Sequence, residues 1–148
     1  MPDRAQTAEQ PITCKEVVFT ADHAAMIAAR ESILDFLRDY VAGEQEEIDL
    51  MLTLQEALAN AVLHGCKSDP SKTVRCAVSI DPSAINIVVR DPGDGFNTSI
   101  ASDSSDDGSN LSEHGRGIFL MRSLMDEVSY RHQGSELHLK KLRHPAHH

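Results

Sequence analysis

Three short segments of this chain carry residues whose types and spacing suit chemistry on an anionic ligand that brings its own metal. In the first, Thr53, Glu56, Asn60 and His64 fall three or four residues apart, while Met51, Leu54, Leu58 and Ala61 recur as an apolar stripe. On a helix these become two opposite faces, one polar and one for a core. A solvated helix face produces the same pattern, so the residue types matter more than the periodicity. Ala57, Ala59 and Ala61 keep the surroundings narrow, and Glu56 lies one turn before Asn60. An amide oxygen is a hard ligand suited to Mg²⁺, and a carboxylate beside it can orient or deprotonate a hydroxyl or a water.

The second segment, Asp91-Pro92-Gly93-Asp94-Gly95-Phe96, follows directly on the alternation of Ile85, Ile87 and Val89. A strand there delivers a carboxylate to a turn whose two glycines let the backbone approach a ligand closely or take positive φ. A tight turn leaving a sheet edge has the same composition. The third segment, Gly115-Arg116-Gly117-Ile118, stands where a helix is predicted to begin. Free amides, the positive end of the helix and a guanidinium suit an anion such as a triphosphate. A glycine cap beside a surface arginine is the plainer alternative. Neither segment is a Walker loop, since no Gly-Lys-Ser/Thr follows, and neither has the dinucleotide fingerprint.

The elements that must position these residues follow from pattern. Residues 1–13 have no apolar period and are expected as a flexible N-terminus to one domain over 14–143, with a His-rich tail at 144–148. Residues 15–20 read as a strand. Asp22 then offers an N-cap to a helix bearing Met26, Ile27, Arg30, Ile33, Leu34, Leu37 and Val41, which Gly43 stops. A second helix is expected over 44–64, acidic in its first turn and followed by Gly65. Residues 73–80 and 84–91 form a hairpin about Asp81-Pro82-Ser83. Residues 92–114, rich in Gly, Ser, Asp and Asn, are a candidate lid. A third helix over 117–126 and a hairpin of 128–131 with 136–142 about Gln133-Gly134 close the chain. This order predicts an α+β fold: a two-layer α/β sandwich with a mixed, mostly antiparallel sheet and helices on one face.

Composition narrows the partners. A chain of 148 residues, 41% apolar, has material for one core. A net charge of -9 without a basic cluster argues against direct contact with nucleic acid. Apolar stretches are broken within a few residues and no charged-then-apolar leader opens the sequence, so neither a membrane span nor a secretory signal is expected and the location predicted is cytoplasmic. Cys14, Cys66 and Cys76 contain no C-x-x-C pair and are expected to stay reduced.

In combination and order the three segments resemble the GHKL ATP-binding superfamily and, within it, the RsbW-like anti-sigma-factor serine kinases. The run from Glu56 to Gly65, ending in His-Gly, looks like that group's N box. Asp91-Pro92-Gly93-Asp94-Gly95-Phe96 is similar to its first glycine box, and His114-Gly115-Arg116-Gly117-Ile118 to its second, followed by the habitual Leu-Met-Asp-Glu-Val at Leu124 to Val128. Gly134-Ser135 sits where many members carry Gly-Thr. The resemblance spans residues 14–143.

It implies ATP with Mg²⁺. Asn60 would coordinate the metal, and Glu56 would act as general base toward the serine hydroxyl of a partner. Asp91 would accept from the adenine amino group, supported by Ser135, with Gly93 and Gly95 lying against the base. Gly115, Arg116 and Gly117, with Ile118 completing the box, would hold the phosphates. The partners implied are a small anti-anti-sigma (STAS-type) protein with an acceptor serine and a sigma factor or similar regulator that the chain sequesters, and homodimers are implied by the same resemblance. The alternative is a module that binds ATP only to shape a docking surface; Glu56 speaks against it, because a pure binder has no need of a carboxylate beside the amide. A histidine-kinase catalytic domain would bring a helical dimerisation segment for which this length leaves no room. His144, His147 and His148 have no fourth ligand at useful spacing for a metal.

Overall fold

Among the described residues, five strands and three α-helices build the domain. They are β1 (Thr13–Thr20), α1 (His23–Leu37), α2 (Glu44–Asn60), β2 (Thr73–Ile80), β3 (Ala84–Arg90), α3 (Glu113–Leu124), β4 (Glu127–Arg131) and β5 (Glu136–Leu142). The computed structural model describes residues 13–92, 113–132 and 135–143, with the backbone alone for 113–115. The N-terminal segment, the lid with Gly93 and Gly95, the Gln133-Gly134 turn and the His-rich tail lie outside the described residues.

The sheet order is β1-β2-β3-β5-β4, and all four pairings are antiparallel. Alternation decides its two faces. Phe19, Val74, Cys76, Val78, Ile80, Ile85, Ile87, Val89, Leu137 and Leu139 are buried on one side, and the helices cover that side. The register stacks them in rows, such as Val78 beside Ile87 and Ile87 beside Leu139. Ile33 and Leu37 from α1, Leu50, Leu54 and Leu58 from α2, and Ile118 and Met121 from α3 complete the core. Removing the side chain of any such leucine costs about 2–5 kcal/mol through lost burial and the cavity left behind.

Local chemistry sets the ends of the elements. The Asp22 carboxylate accepts from the Ala25 amide at 2.8 Å and from the Thr20 hydroxyl at 2.6 Å, the N-cap expected of it. In the β2–β3 turn the Asp81 carboxylate accepts from the amides of Ser83 and Ala84 at 2.7 and 2.9 Å. α1 ends at Leu37, earlier than Val41 and Gly43 suggested. Arg38, whose amide still donates to Leu34 O at 3.0 Å, pairs with Asp35 and Glu47, which ties the corner to the first turn of α2. Gly43 caps α2 without a side chain, and Glu46 reaches back to the Ala42 amide at 2.8 Å.

Two expectations about α2 are corrected. Thr53 is fully buried and Met51 is 36% exposed, so the polar stripe borders the apolar one rather than opposing it. The reason is that α3 lies across the flank bearing Glu56 and Asn60, leaving Met51 on the opposite, outer flank. α2 also does not continue regularly to His64: Ala61–Gly65 form a π-helical turn, with the Cys66 amide donating to Ala61 O at 2.8 Å. Lys67 and Ser68, both at positive φ (53° and 57°), then reverse the chain.

The three cysteines separate by burial: Cys14 is exposed, whereas Cys66 and Cys76 are buried. Burial pushes the Cys76 thiol up to about 12 and also raises that of Cys66, where the Asp91 charge adds to the effect. An aromatic disulfide reagent at about pH 8, near the ordinary thiol range, is therefore expected to titrate one thiol in the folded chain and all three in denaturant. Rapid reaction of a second thiol in the folded state would contradict this packing.

Candidate functional site

Two clusters follow one another along α2 and its π turn. At the first, α3 crosses α2 at Gly117. A methyl placed on Gly117 would lie 2.5 Å from Glu56 Oε1 and 3.4 Å from Asn60 Nδ2, so the Glu56 carboxylate occupies space that a side chain at 117 would take. The crossing brings Gly117 of the third segment against Glu56 and Asn60 of the first. It also shields Asn60: its Nδ2 is buried without a hydrogen-bond partner, and a buried amide with an unmet polar end costs free energy that a polar guest recovers. Half a turn about the side-chain amide exchanges its nitrogen for its oxygen, so either a donor or a hard acceptor can be offered.

That donor set accords with Mg²⁺ arriving on phosphates. The ion keeps much of its shell in water and phosphate oxygens and takes one or two protein groups, one of which the Asn60 amide oxygen can supply while the Glu56 carboxylate beside it stays available as a base. Among the described residues no group of three or more His, Cys, Asp or Glu could hold a metal by itself.

The second cluster lies five residues further along. A methyl on Gly65 would overlap the Asp91 carboxylate, so the acid occupies the space that glycine leaves open. A regular helix would have presented His64 one turn beyond Asn60; the widened turn leaves His64 exposed and sets the Gly65 backbone against Asp91 instead. The Asp91 amide donates to Ser135 O at 3.0 Å. Ser135 thus holds Asp91 through its backbone, while its hydroxyl donates to the His132 carbonyl at 3.0 Å. A buried thiol, Cys66, flanks the same acid and feels its charge.

The second glycine segment is positioned differently from expectation. α3 begins at Glu113, so Gly115 is in its first turn and Gly117 is its fifth residue, past the unpaired amides of a helix start. The role of Gly117 here is close approach to α2. Ile118 is fully buried in the core, and Arg116 is exposed. Gly93 and Gly95 lie outside the described residues. Two features escaped sequence reasoning: the space Gly65 makes for Asp91, and a buried Glu136 paired with Arg90 on the far face of the sheet.

The chain is similar to known proteins over most of its length. A family model described as the histidine kinase-like ATPase domain matches residues 19–141. An anti-sigma F factor of Geobacillus thermodenitrificans is 30% identical, covering 76% of this chain and 81% of the relative. That of Geobacillus stearothermophilus is 28% identical with the same coverage. A serine-protein kinase RsbW of Bacillus subtilis is 34% identical over 54% of each chain.

Proposed function

The chain belongs to the histidine kinase-like ATPase domain family and stands within it beside the anti-sigma-factor serine kinases; from that premise we propose that it is an ATP- and Mg²⁺-dependent protein-serine kinase. Its substrate is the serine hydroxyl of a small anti-anti-sigma protein of the STAS type, and in the alternative complex it sequesters a sigma factor or similar regulator. The observation that carries this reading is the crossing at Gly117, where a carboxylate and a buried, unsatisfied amide meet at one point.

The residues divide the work as follows. Asp91, held by Ser135 and seated against Gly65, accepts from the adenine amino group and fixes the base. Asn60 faces the phosphates, and Arg116 with the start of α3 adds positive charge there. Mg²⁺ held by Asn60 with the phosphates would supply the positive charge that phosphoryl transfer mainly requires. Glu56 takes the proton of the acceptor serine as its oxygen bonds to the γ-phosphorus, the bond to the bridging oxygen breaks, and ADP leaves.

No helix among the described residues is long and apolar enough to cross a membrane. Titration calorimetry with ADP at millimolar Mg²⁺, repeated after chelation, tests the reading. Saturable binding that weakens at least about tenfold without the ion is expected, a loss of about 1.4 kcal/mol. Absence of heat with ADP and ATP on folded protein would end the proposal.

A further inference from the structure

On the face of the sheet away from the helices, Glu136 is the one buried charged side chain among the described residues. It is 4% exposed, yet nothing in the nucleotide chemistry uses it. Its carboxylate is paired with the Arg90 guanidinium through Nε and Nη2, lies 2.7 Å from His138 Nε2 and 3.6 Å from His132 Nε2. The His138 hydrogen bond, followed by the Arg90 bond and charge, holds the Glu136 carboxyl below the usual carboxylate range. A buried carboxylate with this many partners is expensive to keep and destabilising to break, so its position needs an explanation.

Position supplies one. Arg90 and Glu136 are register partners on the last rung of the β3–β5 ladder. The next residues outward are Asp91 and Ser135, which are joined by a single backbone hydrogen bond. Strand ends fray first, because their outermost bonds have pairing on one side only. Since side chains alternate along a strand, the clasp stands on the open face while the Asp91 carboxylate turns toward Gly65. We propose that the Arg90–Glu136 clasp, reinforced by His138, is a positioning device for Asp91: it locks the last rung so that the carboxylate is presented to the purine amino group, and it thereby sets base selectivity from the opposite face of the sheet.

The inference rests on the reading of Asp91 as the base-binding acid, and its test separates the two. ADP and inosine diphosphate, which carries an oxygen in place of the amino group, are titrated by calorimetry at millimolar Mg²⁺ into wild type, Glu136→Gln, Arg90→Ala, Arg90→Lys and the double variant Arg90→Ala/Glu136→Gln. Arg38→Ala, which removes ion pairs at the α1–α2 corner, serves as control. Wild type is expected to prefer ADP. Glu136→Gln and Arg90→Ala each weaken ADP about fivefold and leave inosine diphosphate unchanged, the double variant is no worse than either, and Arg90→Lys recovers most of the loss.

Should Glu136→Gln fail to fold, Arg90→Ala carries the comparison, since that side chain is 57% exposed. Variants that bind ADP as wild type does, or that lose both nucleotides alike, overturn the positioning role while the site reading stands. A wild type with no preference for the amino group overturns the role of Asp91 and this inference together.

Discussion

Replacing Glu56 by Gln is expected to leave ADP affinity within about twofold of wild type and to lower phosphoryl transfer to the acceptor serine by about 10²- to 10⁴-fold, the range that general-base catalysis contributes. The argument is local. Glu56 is only partly exposed, lies one turn before Asn60 and faces the gap at Gly117. Glutamine keeps the shape and the hydrogen-bonding capacity of this side chain, so the helix crossing survives, but it cannot accept the serine proton. Single-turnover transfer of labelled γ-phosphate, with calorimetry on the same preparations, separates the two effects. Transfer at the wild-type rate would remove Glu56 from the chemistry. Absence of transfer in wild type with normal ADP binding would favour instead a module that uses nucleotide only to shape its surface.

Much of the frame was legible beforehand because it depends on neighbours in sequence. The Asp22 cap, the Asp81 turn, the alternation along β2 and β3 and the span of α2 up to Asn60 all rest on contacts within a few residues. The departures arise where a distant element intervenes. Periodicity placed Thr53 and Met51 on the wrong flanks because it gives the phase of an apolar stripe, but not which helix covers its border. The third helix is expected from Gly117, where the apolar spacing resumes, whereas the backbone is already helical from Glu113. Glu136 reads in sequence as an ordinary solvent-facing acid of an alternating strand. Only the register opposite Arg90 makes it a buried clasp, and register is a property of two strands.

Gly65 is the case in which this limit matters most, and substituting it by Ala is expected to weaken ADP binding about 10- to 100-fold, the equivalent of one strong hydrogen bond lost from a desolvated site. In sequence Gly65 stands as a helix stop. In the fold its φ lies outside the left-handed region, and what it supplies is room: a methyl there would overlap the Asp91 carboxylate. Asp91 cannot retreat as a whole, because its amide is tied to Ser135 O, so the side chain must swing away from the position in which it would meet adenine. The transfer defect then follows from lost binding, the reverse of the pattern at Glu56, where binding is kept. Overpacking itself costs about 1–3 kcal/mol of stability, so a denaturation midpoint must accompany each titration. The double variant Gly65→Ala/Asp91→Ala decides the cause: if Gly65 acts by seating that acid, it binds ADP no more weakly than Asp91→Ala alone. Wild-type ADP affinity in Gly65→Ala would mean that the acid and the glycine are neighbours without consequence.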